Sequence, residues 1–74
     1  MLFRSNERAE VTRHVRVLLD RSGLAQQEFA SRIGVPNDQF TEYLTGETSP
    51  SASLMIRMRR LSDRFAKMRS ERSD

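Results

Sequence analysis

The sequence contains no cysteine and a single histidine, His14. Without cysteine there is no disulfide framework, no thiolate metal site and no cysteine nucleophile. His14 lies on an arginine-flanked helix face with no second imidazole to share a metal, so it reads as a surface or groove-edge residue. Lysine is nearly missing as well: of the 13 basic residues all but Lys67 are arginine. No apolar run approaches the ~20 residues of a membrane span. The start, Met1-Leu2-Phe3-Arg4, has too short an apolar part for a signal-peptide core, so a cytoplasmic location is expected and a membrane partner is not. No Gly-rich phosphate loop, nucleophile elbow or clustered carboxylate pair occurs, and Glu7 and Glu10 read as helix-surface acids. The expectation is a protein that is not an enzyme and uses no metal or small-molecule cofactor.

What is present is charge and helical periodicity. A chain of 74 residues suits one domain with a modest core, which a second copy or a ligand commonly stabilises. The net charge of +3 is unevenly placed. Residues 1–32 hold six arginines against four acids. Residues 33–53 hold Asp38, Glu42 and Glu47 and no base, and residues 54–74 hold seven bases against three acids. Arginine forks pair bidentately with phosphate, although the same bias also arises from genome composition.

Four helices are expected. The first starts near Ser5 or Asn6, after a short arm over residues 1–5, and buries Val11, Val15, Leu18 and Leu19. Gly23 ends it. The second runs from Gln26 to Ile33 with Phe29, Ala30 and Ile33 inward and Gly34 as its stop. The third opens at Pro36, turns Phe40, Tyr43 and Leu44 inward, and closes at Thr45-Gly46. A fourth, capped by Ser51 or Ser53, carries Leu54, Met58, Leu61, Phe65 and Met68 at alternating spacings of four and three, close to a heptad seam. It should end near Met68, with residues 69–74 as a frayed polar tail.

The segment Gln26 to Val35 carries the functional signal. Ala30 sits four residues after Gln26, where two crossing helices leave room only for a small side chain. Gly34 sits at the turn, where positive φ is needed, and Phe40 points back into the core six residues later. On these residues the chain resembles the Cro and lambda-repressor-like family of helix-turn-helix domains. The matching landmarks are Leu24, Gln26, Glu28, Phe29-Ala30, Gly34-Val35, Phe40, Tyr43, Gly46 and Pro50, and with the flanking helices the resemblance extends over residues 8–68. It implies a small all-α domain of four to five helices, with the helix-turn-helix at 26–45 and a long C-terminal helix. It also implies a sequence-specific transcriptional regulator that reads double-stranded DNA in the major groove.

Carried onto this sequence, the resemblance gives Pro36, Asn37, Asp38 and Glu42 as base-reading positions, with Gln39 and Thr41 beside them. Asn37 suits adenine, and Asp38 or Glu42 suits the cytosine amino group. Phosphate contacts fall to Gln26 and Gln27 at the start of the second helix, and to Thr45, Thr48 and Ser49 after the third. Arg4 and Arg8 in the arm, with Arg13 and Arg32 near the groove edge, complete the set. Arg57, Arg59 and Arg60 are weaker candidates, and Arg64, Lys67 and Arg69 read as a solvated face.

Three departures qualify the resemblance. The third helix has no base, and its acids face the proposed DNA. Ala25 replaces a capping residue. Arg59 stands where a small core residue is usual, which suggests a rotated fourth helix, and the fifth helix is absent or fused into the fourth. The stripe from Leu54 to Met68 either packs on Val11, Val15 and Leu18 of its own chain or, at the far end where Phe65 and Met68 outrun the first helix, pairs with a second copy, with Leu61, Phe65 and Met68 as candidates for a homodimer contact. The competing function is a protein–protein module, a partner subunit or antitoxin-like, that keeps the fold without reading DNA alone. The acidic third helix favours that rival.

Overall fold

Neither glycine nor proline interrupts residues 3–22 or 52–72, and each stretch forms one continuous helix. The computed structural model describes residues 3–72, with side chains from 8 to 70. Its elements are α1 Phe3–Ser22, α2 Gln26–Ile33, α3 Asn37–Thr45 and α4 Ala52–Arg72. The described chain is all-α, with four helices and no strand.

Two ends differ from expectation. α1 begins at Phe3, not at Ser5 or Asn6. Arg4 and Arg8 are therefore helical and do not belong to an extended arm; residues 1 and 2 lie outside the described residues. α4 continues to Arg72, so residues 69–72, expected to fray, belong to the helix. Arg69 supplies the reason. Its Nη1 donates to the carbonyl oxygen of Arg21 at 2.8 Å and ties the end of α4 to the end of α1. No separate fifth helix follows among the described residues.

The starts of the inner helices follow from local chemistry. Ala25 has no side-chain oxygen and leaves α2 without a side-chain cap. Pro36 is the N-cap of α3 with φ −60° and ψ 147°, not its first helical residue, so α3 begins at Asn37. Ser51 caps α4: its Oγ accepts from Leu54 N–H at 3.2 Å, and its carbonyl from Met55 N–H at 2.9 Å.

The helix ends share one device. α2 and α3 stop at Gly34 and Gly46, both left-handed. At Gly34 the Val35 N–H returns to the Ala30 carbonyl at 2.9 Å, and Val35 itself is buried as the accompanying apolar contact. An arginine from another helix then serves each terminus. Arg16 Nε donates to Leu44 O at 2.9 Å, Arg57 Nη1 to Ile33 O at 3.3 Å, and Arg69 to Arg21 O. A positive group at a helix C-terminus meets unpaired carbonyls and the negative end of the dipole.

The core draws on all four helices: Val15 and Leu18 from α1, Phe29, Ala30 and Ile33 from α2, Phe40 and Tyr43 from α3, Met58 from α4. Phe29 and Phe40 stack with centroids 5.3 Å apart, and Tyr43 meets Phe40 edge-on at 6.5 Å. Burying a phenylalanine is worth about 2–3 kcal/mol, so this pair fixes the angle between α2 and α3.

α1 and α4 lie alongside each other and run the same way. Met55 borders Val11 and His14, Asp63 pairs with Arg21 at 3.1 Å, and Arg69 reaches the end of α1. Met58 is fully buried and Arg59 exposed, so the position expected to carry a small core residue lies on the outside of α4.

The proposed dimer stripe is mostly absorbed by its own chain. Leu61 packs against the core, and Phe65 is half-buried beneath the Arg32 guanidinium, 5.0 Å above its ring. Only Met68 of the three is exposed, at 42%.

Candidate nucleic-acid interface

α3 has nine residues and a strict division of faces. Phe40 and Tyr43 point inward. By helical register the opposite, outermost line runs through Asp38, Glu42 and Thr45, with Asn37 and Thr41 on the flank nearest α2. Pro36, Asn37, Asp38, Gln39, Thr41 and Thr45 are exposed and Glu42 is half-buried. The outer line of α3 is open at Asp38 and Thr45, the loop 47–49 lies against Glu42 through Thr48, and α4 does not contact α3.

A polar tie crosses the turn. Gln26, at the first position of α2, donates from Nε2 to Asn37 Oδ1 at 3.2 Å and to Thr41 Oγ1 at 2.7 Å. The Thr41 hydroxyl donates onward to the Asn37 carbonyl at 3.0 Å. Both hydrogens of the Gln26 amide are thus engaged. The side chain expected to donate to phosphate instead positions two residues of α3. What remains free at the start of α2 is its backbone, because Ala25 caps none of the first-turn N–H groups. Gln27 stands exposed beside them.

Other candidates are also engaged. Gln39 Nε2 donates to the Tyr43 hydroxyl at 2.6 Å, so Gln39 supports the core edge of α3. Thr45 Oγ1 donates to the Glu42 carbonyl at 3.2 Å, and Thr48 Oγ1 reaches Glu42 Oε1 at 3.4 Å. Ser49 is exposed next to them. Arg32 pairs with Glu28 one turn earlier at 2.9 Å and lies over Phe65, so it is held away from α3. Arg13 lines the groove between α1 and α4 with Glu10, His14 and Met55, on the side of α1 away from α3. Arg8 is exposed and stands one turn before Thr12, the residue that approaches Gly46. It therefore shares the stripe of α1 that passes the end of α3; Arg4 precedes it by one turn of the helix, and its side chain lies outside the described residues.

Compared with known proteins, the chain matches no family model, no curated protein and no solved structure.

The structure therefore gathers Gln26, Asn37 and Thr41 into one bonded set, with Asp38 and Glu42 along its outer margin. It disperses the arginines. Arg16 was not singled out by sequence, yet it closes the end of α3. Arg57, a weaker phosphate candidate, donates to the end of α2. No spacing rule marks either, because each long side chain meets its partner across the bundle. Among the described residues no three His, Asp or Glu side chains gather as a metal site.

Proposed function

We propose that this chain is a sequence-reading DNA-binding protein of the lambda-repressor-like kind, acting in the cytoplasm as a transcriptional regulator, with α3 entering the major groove. The reading is of a binder, not a catalyst. The observation that carries it is the Gln26–Asn37–Thr41 tie on an uncovered helix face. Groove reading needs polar groups held in fixed positions before contact, and this tie fixes two of them. Gln26 takes one lone pair of Asn37 Oδ1. The other lone pair and both Nδ2 hydrogens remain, which is the pattern that bonds adenine at N6 and N7. Thr41 has its hydroxyl satisfied and offers its methyl group, which suits thymine. Asp38 and Glu42 accept from the cytosine amino group. Phosphates are met by the uncapped first turn of α2, by Ser49, and by Arg8 and Arg4 along α1.

One observation favours a second reading. The outermost line of α3 is acidic, and carboxylates near phosphates cost affinity unless they find a base edge or an arginine. A protein-binding module would place these acids on a basic partner.

Selection from random duplexes at two salt concentrations separates the two. A DNA reader enriches one motif and loses affinity as salt rises. Failure to enrich any motif, with binding to no duplex at low salt, rejects the DNA reading.

A further inference from the structure

The outer face of α4 carries a cluster of exposed bases. Arg59, Arg60, Arg64 and Lys67 are all exposed, and none takes part in an ion pair among the described residues. One ladder on it is specific. Ile56, Arg60, Arg64 and Met68 follow one another at intervals of four and so share a single stripe. Ile56 is 49% exposed and Met68 42%, two of the three large apolar side chains left in solvent among the described residues. Two guanidinium groups bracketed by apolar side chains suit a protein surface, because a phosphate backbone offers the apolar pair nothing.

This chain carries a matching surface. Asp38 and Glu42 are also four residues apart on a helix, and neither has a cationic partner among the described residues. They border an open groove with Pro36 and Tyr43. At 1.5 Å per residue both ladders repeat at about 6 Å, so Asp38 and Glu42 of one copy meet Arg60 and Arg64 of another in register. Within one chain the pairs do not meet, since α3 and α4 make no contact with each other among the described residues.

We propose that the Ile56–Arg60–Arg64–Met68 stripe of α4 docks the Asp38/Glu42 edge of α3 from a second copy. The contact is head-to-tail. Each copy that joins leaves one α3 edge and one α4 face unused, so assembly continues to an open chain or closes as a ring. Two paired carboxylate–guanidinium contacts are charge-assisted and screened by salt. The contact also covers the outer line of α3, so a copy within an assembly does not present that line to anything else. The inference stands independently of the DNA reading.

The test measures mass in solution by sedimentation, against protein concentration, at about 20 mM and about 500 mM salt, where the screening length falls several-fold. Wild type should grow beyond two copies at low salt and return to one at high salt. D38N/E42Q and R60Q/R64Q should each remain single, with unchanged helix content by circular dichroism. Mixed in equal amounts they should stop at two copies, because one supplies the only intact α4 face and the other the only intact α3 edge. A wild type that stays single at every concentration overturns the proposal, as does assembly that survives either variant. A wild type that stays single while R60Q/R64Q weakens duplex binding assigns the face to phosphate, and that also overturns it.

Discussion

Arg16 and Leu44 lie 28 positions apart in the chain and 2.9 Å apart in space, the Nε–H of one on the carbonyl oxygen of the other. The bond closes the end of α3 from α1. With Arg57 on Ile33 and Arg69 on Arg21, it makes arginine a structural residue at three helix ends.

Replacing Arg16 by Gln should therefore destabilise the fold without touching the outer side of α3. The bond is exposed, so its loss should cost about 1 kcal/mol. In a domain of this size that lowers Tm by roughly 4–8 °C, read by thermal unfolding. A change under about 1 °C, set against that scale, would show that water serves the Leu44 carbonyl equally well.

Gly34 and Gly46 should respond differently to alanine although both are left-handed, at φ +80° and +87°. An added Cβ at Gly34 has only Arg57 Nη1 at 3.8 Å, an ordinary contact, whereas at Gly46 it meets Thr12 Oγ1 at 3.1 Å. Gly34→Ala should cost the backbone alone, about 1–2 kcal/mol. Gly46→Ala should cost more, and the excess should vanish in a Thr12→Ala background. Denaturant unfolding of the four variants measures both quantities, and equal costs for the two glycines would contradict the Thr12 contact.

The helices around the turn were legible because short-range chemistry fixes them. Gly34 and Gly46 are the residues that tolerate positive φ, and the apolar spacing of Phe29, Ala30, Ile33 and Phe40 leaves one inward solution. The start of α1 was less legible because nothing between Phe3 and Asn6 forbids helix, so no local signal marks where it begins. The carbonyl partners of Arg16, Arg57 and Arg69 were not legible for a different reason: a guanidinium reaches far enough to choose a carbonyl across the bundle. The partners of Arg57 and Arg69 lie 24 and 48 positions away. Phe65 was left open between its own chain and a second copy, because periodicity shows an apolar stripe and not what covers it; Arg32 covers it here.

Ser62 offers a gain in stability. It is fully buried, and its Oγ has no hydrogen-bond partner in the structure. An unsatisfied buried hydroxyl costs free energy, whereas a methyl group at that site costs nothing beyond a small loss of volume. Ser62→Ala should therefore be neutral or stabilising by up to about 1 kcal/mol, measured by the midpoint of chemical unfolding. A loss above about 1 kcal/mol would mean that the hydroxyl has a partner.

The tie across the turn gives the prediction closest to function. Gln26 holds Asn37 by its Oδ1 and Thr41 by its hydroxyl, and those two residues share the exposed flank of α3. Under the DNA reading, Asn37→Ala removes a base contact and should relax selection at one base pair, a change worth about 1–3 kcal/mol of discrimination. Gln26→Ala removes only the group that orients Asn37. It should broaden selection at that same base pair and leave the phosphate-driven salt dependence unchanged, because the first-turn N–H groups of α2 are still present. Arg8→Ala should do the reverse, weakening all sequences alike and flattening the salt dependence. Selection profiles for the three variants decide the matter. If Gln26→Ala and Asn37→Ala altered different base pairs, the tie would not be what presents Asn37 to DNA.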